Sequence, residues 1–191
     1  TAASVKDEDF VEQLIVANTH RTLLCFSNLG KVYWLKVYEI PQASRTAKGR
    51  PLVNLIDLDE TERVTSLLDV ESFEGEAYVF MATQNGIVKK THLSEFRKPR
   101  KNGKRAIKLD DNDELVGTLL TDGNADLMVV SNAGKAVFFN EIDARSMGRD
   151  TRGVKGITLD EDQKVISLLK PSKESEILTV SENGYGKRSK V

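Results

Sequence analysis

Four turn glycines, Gly30, Gly86, Gly134 and Gly184, most constrain what this chain can fold into, because they stand 56, 48 and 50 residues apart. Each closes a four-residue turn: Ser27-Asn28-Leu29-Gly30, Thr83-Gln84-Asn85-Gly86, Ser131-Asn132-Ala133-Gly134 and Ser181-Glu182-Asn183-Gly184. Asn and Gly reach the positive φ that tight hairpins need. Apolar, β-branched or aromatic runs flank the turns, such as residues 23–26 before 32–37 and 78–82 before 87–91. A recurring hairpin at a period near fifty residues is the signature of a repeat architecture.

Three further anchors keep the same period. The first is Gly, three residues, an apolar residue, one residue, Leu. It stands at Gly49-Arg50-Pro51-Leu52-Val53-Asn54-Leu55, Gly103-Lys104-Arg105-Ala106-Ile107-Lys108-Leu109 and Gly153-Val154-Lys155-Gly156-Ile157-Thr158-Leu159. An acidic turn follows at 57–62, 110–113 and 160–162, then an apolar strand at 64–68, 115–120 and 165–169. With a short strand after each basic loop (106–109 in the second unit), this makes four strands per unit. Helix is scarce: no segment keeps apolar spacing of 3.6 for three turns, although 141–147 suits a short turn.

The expectation is an all-β fold, a propeller-like array of four-stranded blades. A tandem of sandwich-like domains is the alternative, with units too small for cores of their own. Residues 1–191 read as one domain with repeat units at roughly 18–70, 71–122, 123–172 and a partial 173–191. Residues 10–17 resemble the last strand of a preceding unit, after a linker-like start, and 185–191 close a fourth hairpin. The chain is therefore expected to be an arc of about three to four blades from a larger domain.

Net charge is −1, so bulk composition says nothing about polyanions; the distribution does. Residues 96–109 carry Arg97, Lys98, Arg100, Lys101, Lys104, Arg105 and Lys108 and no acid. Pro99 and Asn102-Gly103 make that run a loop. Arg45, Lys48 and Arg50 form the matching set in the first unit, Arg145, Arg149, Arg152 and Lys155 in the third, and Lys187, Arg188 and Lys190 in the fourth. With Lys89 and Lys90, these are 19 of the 28 Lys and Arg, and Asp150 is the one acid among them. A strand of five to seven residues spans about 15–25 Å. The acidic turns are thus expected a strand's length from the basic loops, beyond the Debye length of about 8 Å. Repetition would line the loops along one edge as a curved positive stripe.

A stripe of that kind suits phosphates, which position a duplex without reading its sequence. Base reading would need a helix or ribbon for the major groove. Single-strand binding would want exposed aromatics among the cations, whereas Tyr33, Trp34, Phe138 and Phe139 sit in strand patterns that suit a core. Duplex DNA held by its backbone and bent is the best match; a protein-interaction scaffold is the alternative. No paired-histidine metal spacing, phosphate-cradling glycine loop or nucleophile motif is present. His20 and His92 read as surface or capping residues, and Cys25 as a buried structural thiol. The Asp110, Asp111, Asp113 cluster lacks the glycine of a calcium loop at its sixth position, where Leu115 stands. No catalytic site, metal, cofactor or small-molecule substrate is expected. No apolar stretch approaches the roughly 20 residues of a membrane helix.

The strings Val16-Ala17-Asn18-Thr19-His20, Leu24-Cys25-Phe26-Ser27, Gly30-Lys31-Val32-Tyr33, Ala47-Lys48-Gly49-Arg50-Pro51, Phe80-Met81-Ala82-Thr83, Asn85-Gly86-Ile87-Val88-Lys89-Lys90-Thr91, Gly153-Val154-Lys155-Gly156-Ile157 and Asn183-Gly184-Tyr185-Gly186-Lys187-Arg188 resemble the family of C-terminal domains of the DNA gyrase A subunit. The related topoisomerase IV protein shares the repeat. The resemblance implies a β-pinwheel, with Greek-key strand exchange between blades, that wraps duplex DNA and supports ATP-dependent negative supercoiling. It implies the rest of the gyrase A subunit and the gyrase B subunit as partners, a bacterial cytoplasmic setting, and ATP and Mg bound elsewhere in the enzyme. The four basic sets match the family's DNA-facing loops. The family's Gln-Arg-Arg-Gly-Gly-Lys-Gly-type heptapeptide is absent from this sequence.

Overall fold

The computed structural model describes residues 13–44, 47–172 and 174–190. Thirteen strands form four sheets among them. The first sheet holds β1 (Thr22–Ser27), β2 (Lys31–Lys36), β3 (Val64–Val70) and, from beyond the next hairpin, β6 (Lys104–Arg105), in the order β3-β1-β2-β6. The second holds β4 (Tyr78–Thr83), β5 (Ile87–His92), β7 (Leu115–Thr121) and β10 (Val154–Lys155), in the order β10-β5-β4-β7. The third is β8 (Asp126–Ser131), β9 (Ala136–Asn140) and β11 (Val165–Leu169), with β8 central. The fourth is the hairpin β12 (Glu176–Val180) and β13 (Gly186–Lys190). All strand pairs within the sheets are antiparallel.

Each hairpin turn is built alike. The glycine amide donates to the carbonyl of the turn's first residue, Gly30 to Ser27 and Gly86 to Thr83 at 3.0 Å, and the glycine φ is +72° and +85°. The first residue's hydroxyl then accepts from the amide after the glycine: Lys31, Ile87, Lys135 and Tyr185 at 3.2–3.3 Å. Ser or Thr at that position thus closes the turn on both sides, as such residues do in local side-chain-to-backbone bonds.

The exchange of strands is fixed at the same glycines. The carbonyl of Gly30 accepts from the amides of Ala106 (2.8 Å) and Ile107 (3.2 Å), and that of Gly86 from Gly156 (2.8 Å) and Ile157 (3.3 Å). The amide of Leu115 reaches Asn28 O at 2.9 Å, and that of Val165 reaches Gln84 O at 2.8 Å. The second and third basic arms therefore each close onto the blade before their own. The short strand expected at 106–109 is instead Lys104–Arg105, because Ala106 and Ile107 turn inward onto the glycine carbonyl. Of the strand expected at 10–17, residues 13–17 are not in a strand, and 10–12 lie outside the described residues.

The core sits between blades. Along β4, Val79 and Met81 join a cluster with Leu24, Phe26, Phe96 and Ile107 of the first blade and the second arm. Phe80 and Ala82 face the other way, into a cluster with Leu127, Val129, Ile157 and Leu168. Period-2 alternation thus buries both faces of one strand in two different cores. Ile107 and Ile157, 1% and 2% exposed, are the plugs that each arm adds; fully burying such a side chain stabilises by about 1.5–3 kcal/mol. Tyr33 is buried, and Trp34 and Phe139 pack at core edges, but Phe138 is half-exposed on the outer face of β9.

A Cβ at Gly86 would lie 2.8 Å from Ile157 Cγ2 and 2.9 Å from its carbonyl oxygen, whereas one at Gly134 (φ +76°) meets nothing within 4 Å. Gly134→Ala is expected to cost about 1–2 kcal/mol for its backbone conformation alone. Gly86→Ala carries that cost and also expels the third arm. Urea unfolding should show the Gly86 variant distinctly less stable; equal losses would contradict the arm's anchoring role.

Candidate nucleic-acid interface

The basic arms adjoin one another. Arm two (residues 97–109) and arm three (145–155) meet directly: the Lys108 amide donates to Thr151 O (2.9 Å), and Arg149 Nη1 to Arg105 O (2.6 Å). Arg105 pairs with Asp150 (2.9 Å), and Arg152 grips Asp110 with Nε and Nη2 at 2.5–2.8 Å. On the other side, Pro99, Arg100 and Lys101 share a groove of about 160 Å³ with Tyr33, Trp34, Leu55, Ile56 and Asp57 of the first unit. Leu55 also lines the neighbouring groove beside Lys48 and Arg50. Arms two and three are thus joined directly, and arm one, with Lys48 and Arg50, borders the groove of arm two through Leu55.

That contact corrects the expected separation of charges. Asp110 lies in the second acidic turn and Arg152 in the third basic arm, yet they form a bidentate pair. Asp57 borders the groove of Arg100 and Lys101. Strand exchange carries each of these arms back to the preceding unit's acidic turn, and no strand separates arm from turn between Arg105 and Asp110. Arg152 holds the Asp110 carboxyl below its ordinary range, and the Asp110 bond raises the guanidinium in return. Both groups are exposed, so the pair adds little stability.

Two expected site residues lie in the interior. Lys89 is fully buried, and its Nζ donates to the carbonyls of Ala106 (2.7 Å) and Arg149. Lys90 is buried too; its Nζ donates to Glu141 O (2.8 Å) and stands 5.3 Å from the centre of the Tyr78 ring. These two are removed from the phosphate-facing set, because both project from β5 into blade contacts rather than from a loop. Lys104 is half-buried, 5.8 Å from the Trp34 ring centre and bonded to Lys98 O (2.6 Å). Arg149 is half-buried, with its Nε enclosed and unpartnered.

Arg97, Lys98, Arg100, Lys101 and Lys108 of arm two are exposed, as are Arg145 and Lys155 of arm three and Lys48 and Arg50 of arm one. Among the described residues none of these has an acidic partner within ion-pair distance. Arg45 lies outside the described residues. Lys187, Arg188 and Lys190 are exposed on β13, where Arg188 pairs with Glu176 at 2.7 Å. No hydrogen bond or ion pair among the described residues joins them to arm three. His92 caps a 3-10 turn by accepting from the Ser94 amide at 3.2 Å, and Cys25 is buried. Among the described residues no group of three or more His, Cys, Asp or Glu is arranged to hold a metal, and no helix is long and apolar enough to cross a membrane.

A bladed all-β body whose neighbours exchange strands, with cationic arms along the exchange, defines the class. A family model described as DNA gyrase C-terminal domain, beta-propeller, matches residues 21–71, 77–122, 125–172 and 175–191, and the chain belongs to that family. It is 53% identical over 189 residues to the DNA gyrase A subunit of Salmonella typhimurium and 53% over 191 residues to that of Escherichia coli. These alignments take in 99% and 100% of the chain but 22% of each relative, so the chain spans about a fifth of their length. A solved C-terminal domain of DNA topoisomerase IV superposes with TM-score 0.87 at 31% identity, over 99% of this chain and 59% of that one. A solved DNA gyrase A C-terminal domain gives 0.74 at 31%, over 90% and 55%.

Burial lowers the pKa of Lys89 to about 8, with Asp150 and Glu95 opposing the shift and Arg149 adding to it. The unfolded chain holds this proton to about pH 10.4. Between those values the folded state binds fewer protons, so Lys89 makes stability rise with pH from about 8 to about 10. Lys89→Met should remove that rise, as checked by urea midpoints at pH 7.5, 8.5 and 9.5. The same pH slope in both proteins would contradict it.

Proposed function

We propose that the chain binds duplex DNA through its phosphates, without sequence preference, along the row of arms one to three, and bends it. The observation that supports this reading is the direct stitching of arms two and three, with Leu55 between their groove and the one beside Lys48 and Arg50, which gathers exposed cations without acidic partners among the described residues. Bending 20–30 base pairs costs about 1–6 kcal/mol, and several dispersed phosphate contacts offset it.

Within a whole enzyme, such bending serves as wrapping that supports ATP-dependent negative supercoiling in the bacterial cytoplasm. The partners are then the remainder of the gyrase A subunit and the gyrase B subunit, with ATP and Mg bound elsewhere. Identity of 53% to gyrase A subunits over nearly the whole chain supports the gyrase assignment.

Replacing Arg97, Lys98, Arg100 and Lys101 by Gln is expected to weaken duplex binding similarly across sequences. The log–log salt slope should become shallower by about 0.9 for each phosphate no longer neutralised. Replacing Lys164 and Lys170, which are exposed outside the arms, should leave both nearly unchanged. Salt-insensitive binding, or equal loss from the two sets, would sink the reading and favour a protein-interaction scaffold.

A further inference from the structure

Lys89 is a long cation with no place on the surface. Its ammonium reaches the Ala106 carbonyl in arm two and the Arg149 carbonyl in arm three, so it bonds to both arms at once. The equivalent positions after the turn glycine are Tyr33 in β2, Val137 in β9 and Lys187 in β13, the last of them exposed. At Tyr33 the ring packs against Gly103, where a Cβ would come within 2.7 Å of it, and holds one arm only. The guanidinium of Arg149 reinforces the link by donating to Arg105 O, one residue before Ala106.

Burying a charge is costly, and replacing one by an apolar chain of similar volume is often neutral or stabilising. Fold stability alone therefore gives no reason for an ammonium here. What it supplies is direction: charge-assisted bonds to two carbonyls are stronger than neutral ones and fix the spacing between the loops that contribute them. We infer that Lys89 is a positioning residue, which sets arm two against arm three so that their exposed cations meet a duplex as one preformed array. This rests on the DNA reading above. Without it the arms still hold their cations, but binding must also order them, and affinity falls for that reason.

The test is Lys89→Met, with duplex affinity measured across a salt series. The expected result is an affinity loss of about three- to tenfold, the cost of ordering a mobile arm, with the salt slope unchanged. Replacing an arm cation such as Lys101 by Gln should instead make the slope shallower by about 0.9. In parallel, exchange of the Lys108 amide, which is bonded to Thr151 O, should quicken in Lys89→Met while amides of β1 keep their protection.

Unchanged affinity overturns the inference. So does a slope change the size of one phosphate contact, which would make Lys89 a phosphate ligand. Wild-type protein that fails to bind duplex defeats the DNA reading instead, and the Lys108 amide then still reports whether Lys89 pins the arms. Lys89→Gln, which keeps a donor without the charge, is the second variant. If neither variant folds, Lys89 is a general stability residue and the positioning role is wrong.

Discussion

Two main-chain carbonyls, those of Gly30 and Gly86, organise the structure. Each accepts a pair of amides from the following unit, and the second of the pair belongs to the isoleucine that plugs the inter-blade core. Glycine is required there because the turn needs positive φ and because the approaching isoleucine leaves no room for a Cβ. Each of these two blades is consequently incomplete without its successor. Its fourth strand, part of its core and the cover of its turn all come from the next repeat.

The same clamp decides the electrostatics. Arms two and three cross back onto their predecessors, so their cations land beside a neighbouring arm and a neighbouring acidic turn. Some charge is neutralised internally, as at Arg152 with Asp110 and Arg105 with Asp150. The remainder, Arg97, Lys98, Arg100, Lys101, Lys108, Arg145 and Lys155, stays exposed with no acidic partner among the described residues. A near-neutral chain thereby carries a concentrated cationic row, a matter of topology rather than of net charge.

Much of this is legible in the sequence. The turn glycines, their Ser or Thr partners and the alternating apolar runs locate the hairpins, since those signals are local. The basic arms are legible as loops for the same reason, through Pro99 and Asn102-Gly103. What escapes is set at long range. Lys89 and Lys90 read as two more cations of the basic sets because nothing nearby in the chain shows the carbonyls of Ala106, Arg149 and Glu141 that receive them. The Asp110–Arg152 pair escapes because the pattern at 106–109 suits a strand, where the arm only turns inward. One signal is available: in Ile87-Val88-Lys89-Lys90-Thr91 the two lysines continue an apolar strand rather than follow it.

Lysine acetylation mapped by mass spectrometry, with and without saturating duplex DNA, tests the central claim most directly. Protection is predicted at Lys48, Lys98, Lys101, Lys108 and Lys155, with Lys164 and Lys170 reacting as they do in free protein. Protection spread evenly over both groups, or absent from the arms, would contradict a single cationic row formed by strand exchange.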